Sequence, residues 1–167
     1  MRTRRNKILI ILIGSLIILS IHYFFKEQIP RNGIKKNFYE NGKVHLAKSY
    51  KNYKLNGITS EYYDSGELLN EYSYKDDLLE GPMKTYYKNG NLMAFRPFVN
   101  NVEQGISVRF YSDGAVESET TYVNGMKHGP YQTYYPDGAL KIRGAYAQDV
   151  KNGIQNQYSM KGKLQIV

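Results

Sequence analysis

The sequence predicts an all-β protein: an elongated antiparallel meander of six 24-residue β-hairpin repeats, preceded by one N-terminal transmembrane helix. Three observations predict it. Twelve of the fifteen glycines fall in two columns spaced by 24 residues. The first is Gly33, Gly57, Gly81, Gly105, Gly129 and Gly153, and the second is Gly42, Gly66, Gly90, Gly114, Gly138 and Gly162. Aromatic residues recur at the same interval, and a fixed period of this length marks a chain built from stacked copies of one unit. Ahead of the copies stands an uncharged apolar run, Ile8 to Phe25.

Composition bounds what such a chain can do. With 41% hydrophobic residues, 17 tyrosines and a mean hydropathy of -0.57, it suits half-buried aromatic surfaces better than a thick aliphatic core. The net charge of +8 is unevenly spread: residues 1–32 hold six Lys/Arg and one acid, and the remaining 135 residues hold 17 against 14. The repeats are thus only mildly basic as a whole, which argues against a nucleic-acid partner. The absence of cysteine excludes disulfides, thiolate metal sites, thiol nucleophiles and a cysteine-linked lipid.

Residues 1–7 read as a basic cytoplasmic segment, with Arg2, Arg4, Arg5 and Lys7, and residues 8–25 as a transmembrane signal anchor. Eighteen residues at about 1.5 Å each span roughly 27 Å, enough to cross a bilayer, with Tyr23, Phe24 and Phe25 at the far interface. The basic flank predicts a single-pass membrane protein with a cytoplasmic N-terminus and extracytoplasmic repeats. The rival is a cleaved signal peptide and a secreted product, although bulky His22 to Phe25 offer no small-residue cleavage pattern. Residues 26–32 form a short linker.

The repeat domain covers 33–167, as copies 33–56, 57–80, 81–104, 105–128, 129–152 and 153–167. The second glycine closes YENG, YDSG, YKNG, YSDG and YPDG, where Asn, Asp or Ser before Gly is hairpin-turn chemistry. The first glycine closes KLNG, LLEG, VEQG, MKHG and VKNG, and is expected to turn the chain back into the next hairpin. Six hairpins give about twelve strands, roughly 55 Å of sheet at about 4.8 Å per strand. Pro97 removes a ladder donor and is expected to bulge or loosen its strand.

Three aromatic columns run along the sheet. Phe38, Tyr62, Tyr86, Phe110, Tyr134 and Tyr158 form one, and Tyr50, Tyr74, Phe98, Tyr122 and Tyr146 another; with the aliphatic column Val44, Leu68, Leu92, Val116, Leu140 and Leu164 they are expected on one packed face. Tyr39, Tyr63, Tyr87, Tyr111 and Tyr135 never give way to Phe, so their hydroxyls are expected to be used. They either brace neighbouring turns or form a candidate interaction surface.

The layout G-x-x-x-x-Y-Y-x-[ND]-G-x-L resembles the MORN-variant repeat of the YwqK-like group of bacterial proteins, many of which carry the label of toxin–antitoxin antitoxin. The resemblance covers residues 33–167 and is strongest in copy five, His128 to Leu140, where Tyr131 stands at a position the family often gives to Trp. Lys35, Thr59, Met83, Ser107 and Gln155 occupy that position elsewhere. It implies a sheet of hairpins used for protein or membrane contact, with no catalytic centre.

No catalytic, cofactor or metal site is expected. His22, His45 and His128 are too far apart along the array for a triad or metal cluster, and no phosphate-cradling glycine motif occurs. Glu117 and Glu119, on one strand face by alternation, are the carboxylate pair a hydrolase would need. The expected function is that of a membrane-anchored scaffold binding another protein at the envelope, immunity- or antitoxin-like in kind. The alternatives are a module binding lipid headgroups and a cytoplasmic antitoxin.

Overall fold

The computed structural model describes residues 29–165. They form one antiparallel sheet. Its strands are β1 (Asn32–Phe38), β2 (Val44–Lys51), β3 (Lys54–Leu55), β4 (Gly57–Tyr62), β5 (Leu68–Lys75), β6 (Leu78–Tyr86) and β7 (Leu92–Val99). They continue as β8 (Val102–Glu103), β9 (Gly105–Phe110), β10 (Val116–Val123), β11 (Met126–Tyr134), β12 (Leu140–Ala147), β13 (Val150–Tyr158) and β14 (Leu164–Gln165). Twelve of these follow one another in sequence order across the sheet, with β3 beside β2 and β8 beside β7.

The expected fold class is corrected in two respects. The strands number fourteen where about twelve were expected, because two of the meander's strands are broken, at Asn56 and at Gln104. The described residues are all-β, and among them no helix is long and apolar enough to cross a membrane. The transmembrane helix expected over residues 8–25 falls outside the described residues.

Two kinds of turn alternate. At the second glycine column the chain makes a type I turn followed by one residue at positive φ, as where the Gly66 N–H donates to the Tyr63 carbonyl at 2.9 Å and the Tyr63 N–H to the Glu67 carbonyl at 2.8 Å. At the other side the loop has two residues, both at positive φ: Asn52-Tyr53, Asp76-Asp77, Asn100-Asn101, Asn124-Gly125 and Gln148-Asp149. That is the pattern of a tight hairpin whose twist matches its strands.

The first glycine column therefore does not make the turn expected of it. Gly57, Gly81, Gly105, Gly129 and Gly153 lie four residues beyond the tight loops, at positive φ, in or at the start of a strand. Opposite Ser73 the chain bulges through Glu80, Gly81 and Pro82, since Tyr72 pairs with Met83 and Tyr74 with Leu79. A Cβ on Gly81 would stand 3.3 Å from that of Ser73, so the bulge needs glycine for conformation and for space. Pro97 lies opposite the equivalent bulge and stays within an unbroken β7, and its carbonyl accepts from the Gln104 N–H at 2.9 Å.

A second bulge reassigns the columns. Glu61 pairs with Asn70 but Tyr62 with Leu68, leaving Leu69 as an extra residue, and the same shift recurs in the other copies. One inserted residue flips the alternation. The Tyr62 and Leu68 columns thus lie on one face, here the back, while the Tyr74 column lies on the other, the front. Side chains agree: Tyr131 packs on Tyr146 at the front, with ring centroids 4.7 Å apart, and Tyr134 meets Glu119 at the back, 3.0 Å away. The single packed face expected for all three columns is split in two.

With one layer and two wet faces, burial is sparse. Among the described residues only Thr59, Glu103 and Tyr131 are buried, at 4%, 7% and 8% exposure, and all three are front-face residues.

Candidate functional site

The five tyrosines of the second aromatic column, which lapses to Ser159 in copy six, share one geometry. The hydroxyls of Tyr39, Tyr63, Tyr87, Tyr111 and Tyr135 donate to the main-chain carbonyls of Tyr62, Tyr86, Phe110, Tyr134 and Tyr158 at 2.7, 2.9, 2.7, 2.7 and 3.0 Å. Each reaches 23 residues ahead and ties its copy to the next, a bond that phenylalanine could not make. Their rings remain half-exposed, and Lys88 and Lys141 lie over Tyr63 and Tyr135 at 5.2 and 5.4 Å.

The back face carries an exposed apolar band beside the tight turns. Val99, Val102, Val123, Met126 and Val150 flank those turns, and Ile58, Ile106 and Ile154 extend the band inward. Cross-strand pairing of Val99 with Val102 and of Val123 with Met126 places these side chains together. No second layer covers them among the described residues.

Charge is concentrated at one end. Copy one, residues 33–56, holds six lysines and Glu40, for +5; residues 57–167 hold eleven Lys/Arg against thirteen Asp/Glu, for -2. The mild average hides a basic first hairpin followed by a slightly acidic array.

Glu117 and Glu119 do not converge. Glu117 sits in the bulge and accepts from Arg109 Nε at 3.2 Å, whereas Glu119 accepts from the Tyr134 hydroxyl on the back face. The bulge undoes the alternation that seemed to align them. His45 stacks on Tyr39 with centroids 4.4 Å apart and lies 3.6 Å from Glu61.

Front and back each hold tyrosine–carboxylate pairs. Burial and a hydrogen bond to Glu61 push Tyr72 up to about 12, and burial with a hydrogen bond to Glu71 does the same for Tyr86. Both are protonated hydrogen-bond donors at neutral pH.

One constellation was not foreseen. Arg96 grips the buried Glu103 with two bonds, Nε at 3.2 Å and Nη2 at 2.7 Å, and Ser107 donates to the same carboxylate. The signal was present in the columns: Arg96 stands where other copies have Lys48, Tyr72, Thr120 and Gly144, and Glu103 where they have Leu55, Leu79, Lys127 and Lys151.

Period, turn chemistry and hydrogen-bonded copies define a repeat protein whose unit is a single β-hairpin. The MORN repeat variant pattern matches residues 31–52, 55–76, 79–100, 103–124 and 127–148, and the chain belongs to that family. No curated protein matches it.

Proposed function

We propose that the repeat sheet is a binding module that docks the apolar surface of another protein against its back face. The observation that carries this reading is the exposed band of Val99, Val102, Val123, Met126 and Val150 on a single-layer sheet. A contiguous apolar patch rimmed by polar residues is the usual mark of a protein-contact surface. Neutralising the bound protein, as an immunity protein or antitoxin does, is one form such docking takes. The test is retention by the full chain carrying Val102→Asp and Met126→Asp. A protein held by the unaltered chain should be released by this variant at unchanged melting temperature; equal retention would end the reading.

The basic first hairpin favours a second reading, contact with anionic lipid headgroups through Lys35, Lys36, Lys48, Lys51 and Lys54. Vesicle sedimentation decides it: the chain should prefer anionic over neutral lipid, and lose that preference when Lys48, Lys51 and Lys54 become Glu.

A further inference from the structure

On the front face, between the third and fourth copies, lies an open cleft of about 270 Å³. Its origin is a pair of small residues. Ser107 and Thr120 face each other across β9 and β10, whereas the equivalent pair one full unit of two copies earlier, Thr59 and Tyr72, covers the same space with an aromatic ring. One copy later Tyr131 fills it by packing on Tyr146. One copy earlier the equivalent pair is Met83 and Arg96, and Arg96 itself lines the cleft.

The lining mixes donors and acceptors without net charge. Arg96 is neutralised by Glu103 and Arg109 by Glu117. The hydroxyls of Ser118 and Thr120 line the cleft, and Tyr122 lines it within electrostatic reach of Arg96. Arg109 is 63% exposed at its side chain and spends only Nε on Glu117, so its terminal nitrogens are open to a ligand. Tyr122 supplies an aromatic wall. Two balanced ion pairs give no preference for an ion of either sign. What they do fit is a molecule that both donates and accepts many hydrogen bonds and has an apolar side to lay on a ring.

From this we infer a carbohydrate-binding site that takes one neutral, hydroxyl-rich sugar unit. Arg109, Ser118 and Thr120 address its hydroxyls, Tyr122 meets its C–H face, and the Arg96–Glu103–Ser107 group fixes the floor. Arg96 and Glu103 depart from the residues of the other copies, whereas Tyr122 keeps its aromatic column.

The test uses the full chain in a detergent without a sugar headgroup, titrated with glucose, galactose, mannose and N-acetylglucosamine, each free and as its β-linked disaccharide, and followed by saturation-transfer NMR. At least one neutral sugar should saturate, with Kd on the order of 1 mM. Gluconate and glucosamine should bind no more tightly. Thr120→Tyr, which recreates the closed arrangement of Thr59 and Tyr72, should weaken binding by about tenfold or more. Arg109→Gln, a change at an exposed side chain, should weaken it by about threefold to tenfold even if the tyrosine variant fails to fold. Saturation by none of the neutral sugars, tighter binding of gluconate or glucosamine, or unchanged binding by both variants would overturn the assignment.

Discussion

The two sides on which the sheet turns carry different chemistry. On one, each loop sets a single glycine in the left-handed region, as Gly90 at φ 86 or Gly138 at φ 84, and a Cβ on either would meet nothing within 4 Å. On the other, two consecutive residues take positive φ, and four of the five pairs contain no glycine. Those tight loops also bond laterally. The side-chain oxygens of Asp77, Asn101 and Asp149 accept from the main-chain N–H groups of Leu55, Leu79 and Lys127 at 2.7, 2.7 and 2.8 Å. In return the N–H groups of the same three loop residues donate to the carbonyls of Leu55, Leu79 and Lys127. Backbone strain and contact between copies thus fall on the same residue at the tight side and on different residues at the glycine side.

The largest expected effect follows from that coincidence. Asn101→Val places a β-branched residue at φ 68 and removes the acceptor for Leu79, and should cost about 2–4 kcal/mol. Gly90→Val meets only the conformational penalty and should cost about 1–2 kcal/mol. Urea unfolding of the two variants side by side checks the difference; equal losses would show that the lateral bond contributes nothing.

At the glycine side the tie between copies rests on the tyrosine hydroxyl. Tyr111→Phe keeps the ring and deletes the 2.7 Å bond to the Tyr134 carbonyl, for an expected loss of about 1 kcal/mol. A variant as stable as the parent but weaker in partner retention would move the hydroxyl from brace to recognition.

The turns at the second glycine column were legible in the sequence, and the tight loops were not, Asn124-Gly125 included. Asn-Gly and Asp-Gly in the second column announce themselves, while Asn-Tyr, Asp-Asp and Gln-Asp set two consecutive residues at positive φ with side chains that advertise it less. The bulged glycines were misread for a related reason: a repeated glycine signals positive φ or close approach, and only the register shows that Gly81 meets both conditions inside a strand. The bulge at Leu69 and its equivalents has no compositional mark at all, so the split of the tyrosine and leucine columns between two faces was beyond alternation arguments. The five column tyrosines were legible as users of their hydroxyls, but their partner is a main-chain carbonyl 23 residues away, which carries no side-chain signature. The Arg96–Glu103 cleft was legible in principle as two coincident departures from the repeat, once front-face positions had been assigned.

The smallest effect tests the tight side by repair. In copy four the loop position held by Asp77, Asn101 and Asp149 belongs to Gly125, whose N–H still donates to the Glu103 carbonyl at 2.9 Å but which has no side chain to accept in return. A Cβ there would lie 3.6 Å from Val102 Cγ1, an ordinary contact. Asparagine adopts φ near 79 more readily than most residues, so Gly125→Asn trades a small conformational penalty for a bond to the Glu103 N–H. The balance should be a gain of about 0.5–1 kcal/mol, visible as a raised urea midpoint at unchanged slope. A lowered midpoint would mean that strain outweighs the lateral bond even in asparagine, and that the non-glycine loops of the other copies are held by their strands and not by their neighbours.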